Sequence, residues 1–127
     1  MFYLTKIENA RMNVPEPEFY DVGSTAISEG ETLALSSGVL VKNTSAPEFI
    51  SCGNAPAGAK AFPVYRITKE MVFEAPISAA PTDLKVGNKV TVNTDGLGVT
   101  ATTSSGIATI ISLNGAKAAD DTVIVKF

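Results

Sequence analysis

The chain of 127 residues has no histidine, no tryptophan and a single cysteine, Cys52. Without histidine, Ser-His-Asp and Cys-His nucleophilic systems and histidine-containing zinc sites are excluded. Cys52 has no second cysteine for an internal disulfide and no imidazole to activate its thiol, so we interpret it as a small buried apolar residue. We therefore predict no enzyme activity, with no catalytic residues, no metal ligands and no cofactor.

Positive charge is also scarce. Ten lysines and arginines stand against thirteen acidic residues, which gives a net charge of −3. Nucleic-acid affinity depends on clustered cations that displace phosphate counterions, so we expect no direct nucleic-acid binding. No apolar run approaches the roughly 20 residues that span a bilayer, and no cationic start precedes an apolar stretch, so we expect neither a membrane segment nor a signal peptide.

Several short segments imitate ligand sites without their defining residues. Gly53–Lys60 has Ala59 where a phosphate-binding loop needs lysine, and no helix is predicted after the glycines of Gly96–Ala101. Asn93–Gly96 resembles the middle of a calcium loop without the flanking carboxylates. We interpret the acidic pairs at the strand borders as solvated turn charges; these are Asp120-Asp121 and Glu29-Gly30-Glu31.

Short runs rich in Val, Ile and Thr, spaced by turn residues, predict an all-β fold, either a small barrel or a sandwich. Asp95-Gly96 and Asn114-Gly115 are typical of tight turns, because glycine adopts positive φ at little cost. Single helical turns are expected at 82–85 and 115–121, and Pro63 favours an edge strand. The predicted strands are 31–35, 39–42, 48–52, 62–67, 71–74, 89–93, 97–102, 107–112 and 122–127.

The segments 30–67 and 87–127 resemble each other, which indicates one β unit used twice and joined by a proline-rich crossover over 75–86. Together they form the predicted β domain, residues 29–127. The matched positions are Gly30 with Gly87, Leu33 and Leu35 with Val90 and Val92, Gly38 with Gly96, Ile50-Ser51 with Ile111-Ser112, and Val64–Ile67 with Ile124–Phe127.

Residues 1–28 are predicted to form an N-terminal arm. Ordering them costs on the order of 30–55 kcal/mol, whereas their larger apolar side chains return roughly 15–35 kcal/mol when buried. We expect an arm that becomes ordered against a partner; the alternative is that Phe2–Ile7 forms the first strand of this domain's own sheet. The predicted partner-binding residues are Phe2, Tyr3, Leu4, Ile7, Pro15, Pro17, Phe19 and Tyr20.

Four segments carry a resemblance to a family. They are Glu29–Gly38, Phe73–Ser78, Leu84–Val90 and Asp121–Phe127. In these turn-and-strand patterns the chain resembles capsid decoration, or head-stabilising, proteins of tailed bacteriophages, and it is similar to the phage lambda head decoration protein class over residues 28–127.

The resemblance implies a structural protein without catalysis that binds the outer surface of an expanded phage head. Its partner would be the major capsid protein, whose subunit contacts it would stabilise. The resemblance also implies a homo-oligomer, with a trimer favoured, located on the capsid exterior of the virion and made in the bacterial host cytoplasm. The alternative is a carbohydrate-binding β module of a phage fibre or adhesin, although aromatic platforms for sugars usually include tryptophan.

Overall fold

The computed structural model describes residues 1–8 and 15–127, and these residues form ten β-strands and no helix. The predicted all-β fold is confirmed, and one of the two sheets is a closed barrel. The strands are β1 (Tyr3–Ile7), β2 (Glu18–Val22), β3 (Thr32–Ser36), β4 (Val39–Lys42), β5 (Phe49–Ser51), β6 (Phe62–Arg66), β7 (Met71–Pro76), β8 (Lys89–Val90), β9 (Ala108–Ser112) and β10 (Thr122–Lys126).

Strands β2 to β6 form unit 1, a five-stranded closed barrel in the order β2-β4-β3-β5-β6. All contacts are antiparallel except that between β2 and β4. Strands β3 and β4 are joined by the two-residue turn Ser37-Gly38. Both turn residues have positive φ, 50° and 81°, which matches the twist of the strands they connect.

Strands β7 to β10 form unit 2 and repeat these connections. β7 is antiparallel to β10, β10 to β9, and β9 to β8. Val99 takes the place of a β4 strand, because it bridges antiparallel to Val92 and parallel to Ile77. The predicted strand 97–102 is therefore reduced to these single bridges, which close the second ring.

The ladders identify which residues of the two units correspond. Leu33 faces Phe49 in unit 1, as Val90 faces Ala108 in unit 2. The sequence match of Leu33 with Val90 agrees with this register. When this register is extended along the other strands, further residues of unit 1 have equivalents in unit 2. The equivalent positions are Glu18 and Phe73, Tyr20 and Ala75, Phe49 and Ala108, Ser51 and Ile110, Val64 and Val125, and Arg66 and Phe127.

Two of the sequence matches are shifted in this register. Val64 corresponds to Val125, one residue beyond the match with Ile124, and Ser51 corresponds to Ile110, two residues before Ser112. A one-residue shift moves every side chain to the other face of the sheet. The core positions Val64 and Val125 are both fully buried, which is consistent with the structural register.

The prediction of an N-terminal arm does not hold for the parts of residues 1–28 that the structure describes. β1 pairs antiparallel with β7, and β2 is a barrel strand. Phe2 is only 2% exposed and contacts the rings of Phe73 and Phe127 at centroid distances of 6.3 and 5.3 Å. The first strand therefore belongs to the domain's own sheet, as the alternative interpretation proposed.

The expectation of an edge strand at Pro63 is wrong, because β6 pairs with both β2 and β5. β5 ends at Ser51, which faces Val64, so the missing N–H of Pro63 falls beyond the β5 ladder. The predicted helical turns are single hydrogen-bonded turns, closed by the bonds Leu84 N to Pro81 O and Asp121 N to Ala118 O.

Each unit has its own core. Unit 1 buries Leu33, Leu40, Phe49 and Val64 inside the barrel. The larger core belongs to unit 2, and it also takes in Phe2 from β1 and Ile50 from the outer face of β5. β1 and the β5 surface therefore join the two units.

Candidate functional site

A groove of about 280 Å³ lies where β1 meets the outer face of unit 1. One wall is the N-terminal segment Met1–Leu4, and the other is formed by β5 and β6 with Ile50 and Tyr65. The turn before β3 closes one end at Gly30, whose carbonyl oxygen accepts a hydrogen bond from Phe2 N at 3.0 Å. We call this surface the junction groove.

Tyr3 separates the junction groove from a second depression. Its side chain is 58% exposed, although both of its neighbours, Phe2 and Leu4, pack against the core. The second depression, of about 380 Å³, is lined by Met1, Tyr3, Glu74, Pro76 and Thr122, and we call it the outer hollow. Thr122 Oγ1 donates a hydrogen bond of 2.9 Å to Glu74 Oε1 there. A rigid strand thus presents one aromatic ring between two concave surfaces.

The thiol of Cys52, which lines the junction groove, is not activated as a nucleophile. Burial raises the pKa of the Cys52 thiol, and a hydrogen bond with Tyr65 opposes this effect only in part. A raised pKa keeps the thiol protonated, which is the unreactive form. Cys52 follows β5 and is half-buried, so it is less enclosed than the sequence interpretation supposed.

The structure distributes the eight predicted partner-binding residues over different environments. Phe2 lies in the core with only 2% of its surface exposed, so it offers a partner very little contact area. Leu4, Ile7 and Tyr20 are half-buried against the two cores, whereas Tyr3, Pro17 and Phe19 are exposed. Four of the eight predicted residues are among those that line the junction groove, namely Phe2, Tyr3, Leu4 and Pro15.

Sequence reasoning missed a buried carboxylate beside the groove. Glu31 is 4% exposed, which corrects its interpretation as a solvated turn charge. Glu31 Oε2 accepts a hydrogen bond of 2.8 Å from Ser28 N, and Oε1 lies 3.8 Å from Lys42 Nζ. The spacing Ser-x-x-Glu, which often ties a carboxylate back to a turn, is the signal that could have identified it. Glu31 fixes the turn against which Phe2 rests.

A charged cluster closes the end of unit 1. Arg66 donates two hydrogen bonds of 2.8 and 2.9 Å to Glu18, and its guanidinium lies 4.8 Å from the centre of the Phe49 ring. The hydrogen bond from Arg66 is the main cause that lowers the pKa of the Glu18 carboxyl, followed by the bond from Tyr20. The Glu18 carboxylate in turn raises the pKa of the Tyr20 hydroxyl.

Over 1–8 and 15–127, no group of three Asp, Glu or Cys side chains is arranged to hold a metal ion. That part of the chain also contains no helix with the length and apolarity needed to cross a bilayer.

No protein-family model matches the sequence, and no curated protein matches it.

Proposed function

We propose that this protein is a capsid decoration protein that binds the outer surface of an expanded phage head. It stabilises contacts between major capsid subunits and acts without catalysis. In this proposal the protein is made in the bacterial cytoplasm and becomes part of the virion as a homo-oligomer, with a trimer favoured. The basis is the resemblance of residues 28–127 to head-stabilising proteins.

The observation that carries the proposal is the placement of Tyr3. Its ring is exposed between the junction groove and the outer hollow, while Phe2 anchors the same strand in the core. Aromatic side chains held in this way are typical anchors of protein interfaces. A pre-ordered strand also loses little conformational entropy when a partner binds.

The low charge of the surface supports the same role. Only 18% of the residues of the chain are charged, and the centres of protein interfaces are likewise depleted of charged residues. On a capsid lattice, many weak contacts act together, and each copy needs only modest affinity. A small all-β protein without an activated nucleophile is suited to this kind of reinforcement.

The test is binding to expanded capsids that lack decoration protein. We expect the wild-type protein to co-sediment with these capsids and to raise their melting temperature. Tyr3→Asp should weaken binding at least about tenfold, because it places a charge at the anchor position. Deletion of residues 1–20 is not an informative variant, because it removes β1 and most of β2.

Two controls make the capsid test specific. Tyr3→Phe keeps the ring and should retain most of the binding, and Thr103→Asp adds a charge at an exposed position outside both depressions. Circular dichroism establishes that each variant is folded. Absence of wild-type binding would contradict the proposal, and equal binding by Tyr3→Asp would contradict the role of Tyr3.

The outer hollow favours one second candidate, a carbohydrate-binding module of a phage fibre or adhesin. The Tyr3 ring, the Glu74 carboxylate and the Thr122 hydroxyl lie together there, and an aromatic face with a few polar groups is the composition of a small-ligand site. A glycan array separates the candidates. Specific glycan binding that Tyr3→Ala abolishes, without capsid binding, would favour the module.

A further inference from the structure

The surface of unit 2 that corresponds to the junction groove is uncovered. In unit 1, a Cβ added to Gly30 would lie 2.5 Å from Met1 Cβ, because the N-terminal segment rests directly on this glycine. Gly87 corresponds to Gly30, since their N–H groups donate to the corresponding carbonyls of Ile110 and Ser51. A Cβ added to Gly87 would meet no atom of the described residues within 4 Å.

Two apolar side chains lie exposed around Gly87. Val86 is 65% exposed and Ile111 is 37% exposed, and they occupy the positions that Glu29 and Cys52 have in unit 1. In the described chain, five large hydrophobic side chains are exposed, and these are two of them. We call the surface formed by Val86, Gly87 and Ile111 the unit 2 seat.

The unit 2 seat has a positive rim. Lys85 precedes Val86 and Lys89 begins β8, and both side chains are exposed. Within residues 1–8 and 15–127, neither lysine takes part in an ion pair. An apolar centre with a cationic rim is complementary to an exposed hydrophobic side chain flanked by carboxylates.

The stretch Glu16–Phe19 of unit 1 has this complementary character, and we call it the leading edge. Phe19 is 59% exposed and Glu16 is exposed, whereas the carboxylate of Glu18 between them is bound to Arg66, so Glu16 supplies the negative charge of this stretch. In unit 2 the corresponding stretch of β7 is covered by β1, which pairs Leu4 with Phe73 and Tyr3 with Glu74. Among the described residues, no strand covers β2 in that way.

We propose that copies of this protein associate head to tail, with the leading edge of one copy bound to the unit 2 seat of the next. Inside each molecule, the N-terminal segment Met1-Phe2, which continues into β1 along the edge of unit 2, rests on the corresponding surface of unit 1. Phe19 fills the apolar centre beside Val86 and Ile111, and Glu16 faces the lysines of the rim. Because two different surfaces meet, the contact generates a closed ring or an open chain. It does not depend on capsid binding, which involves Tyr3.

The test is the mass of the purified protein in solution as a function of concentration, measured by sedimentation velocity and light scattering. Wild type should self-associate, whereas Phe19→Asp and Val86→Asp should each associate at least about tenfold more weakly. Phe19→Asp retains an intact seat and Val86→Asp retains an intact leading edge. An equimolar mixture of the two should therefore form one-to-one dimers and no larger species.

A charge exchange provides a second arm. Glu16→Lys and Lys85→Glu should each weaken association, and the double variant should regain it because the attraction is restored with opposite signs. Thr103→Asp, an exposed position outside both surfaces, should associate like wild type. Circular dichroism and thermal unfolding check that every variant is folded. A monomeric wild type at all concentrations, full association by both aspartate variants, or a mixture that stays monomeric would each overturn the proposal.

Discussion

The two units share one set of strand pairings, but equivalent positions at one end of each unit carry different kinds of side chain. In unit 1, Phe49 provides the bulk, with Tyr20 packed at a centroid distance of 5.3 Å and Arg66 above the ring. In unit 2, the residues corresponding to Phe49 and Tyr20 are Ala108 and Ala75, both fully buried. Small side chains there leave room that other strands must fill.

Unit 2 fills that room with aromatic rings from Phe2, which precedes β1, from β7 and from Phe127, which follows β10. Phe73 corresponds to Glu18 and Phe127 to Arg66, so an aromatic pair at 5.6 Å replaces the ion pair of unit 1. Phe2 completes the cluster. The strand arrangement that the two units share therefore determines where core side chains lie. Which of these side chains are large differs between the units, because each core must be filled to the same packing density.

The largest expected effect comes from removing the ring of Phe2, which packs into the core of unit 2 and has no counterpart in unit 1. Phe2→Ala should lower the free energy of unfolding by about 3–5 kcal/mol, because it leaves a cavity beside Phe73 and Phe127. Tyr3→Ala, one residue later but exposed, should change it by less than about 0.5 kcal/mol. Urea denaturation measures both. Equal, small effects would show that Phe2 contributes no core packing.

The paired glycines give the second contrast. Gly30 and Gly87 have φ values of 72° and 92°, so alanine at either position costs about 1–2 kcal/mol in backbone strain. At Gly30 the added Cβ would also collide with the backbone of Phe2, at 2.8 and 2.9 Å from its O and N, which adds about 1–3 kcal/mol.

Thermal or urea unfolding of Gly30→Ala and Gly87→Ala tests this difference. We expect Gly30→Ala to be the less stable variant by the collision cost alone, since the strain is common to both. Similar stabilities would mean that the N-terminal segment is not seated on Gly30 in solution. That result would also remove the template for the head-to-tail contact.

The smallest effect concerns the ion pair of unit 1. Because the folded Glu18 pKa is lowered, the carboxylate contributes stability above its unfolded pKa, and this contribution is lost as pH falls through the folded pKa. Arg66→Met should move the Glu18 pKa back toward its ordinary value. The stability difference between wild type and variant should then shrink on acidification.

Carbon-13 NMR titration of the Glu18 carboxyl measures this shift directly. Asp121, whose pKa is lowered by hydrogen bonds from the backbone N–H groups of Lys117 and Ala118, serves as the internal reference in the same spectra. A Glu18 titration that is identical in wild type and Arg66→Met would contradict the role of the guanidinium.

Much of the fold could be predicted from the sequence, because alternation and turn residues are local signals. The run Val39–Lys42 was predicted with the observed bounds of β4, and most other strands within one to three residues. β1 is predicted only as the alternative interpretation of residues 2–7, and β2 is missed because the prolines at 15 and 17 obscure a strand that begins immediately afterwards. In addition, the entropic cost of ordering residues 1–28 is compared only with the burial of their own side chains, because the sequence does not show the contacts that unit 2 supplies.

The candidate site was less predictable, because it is formed by residues distant in sequence. The sequence predicts Tyr3 and Phe19 as partner-binding residues, but the groove wall at Ile50 and Tyr65 depends on how the units meet. The burial of Phe2 likewise depends on Phe73 and Phe127, which the ladder brings to it. Local patterns carry no information on such contacts.

The seating of the first strand has a consequence for synthesis on the ribosome. Every strand of unit 1 has been translated once Arg66 emerges, so its barrel can close on the nascent chain. Phe2 has no complete binding site until β7 and Phe127 have left the exit tunnel. Until then Phe2 and Ile50 of β5 remain exposed to solvent on the nascent chain. Chaperones bind such transiently exposed apolar side chains, so this is the stage of synthesis at which we expect them to act.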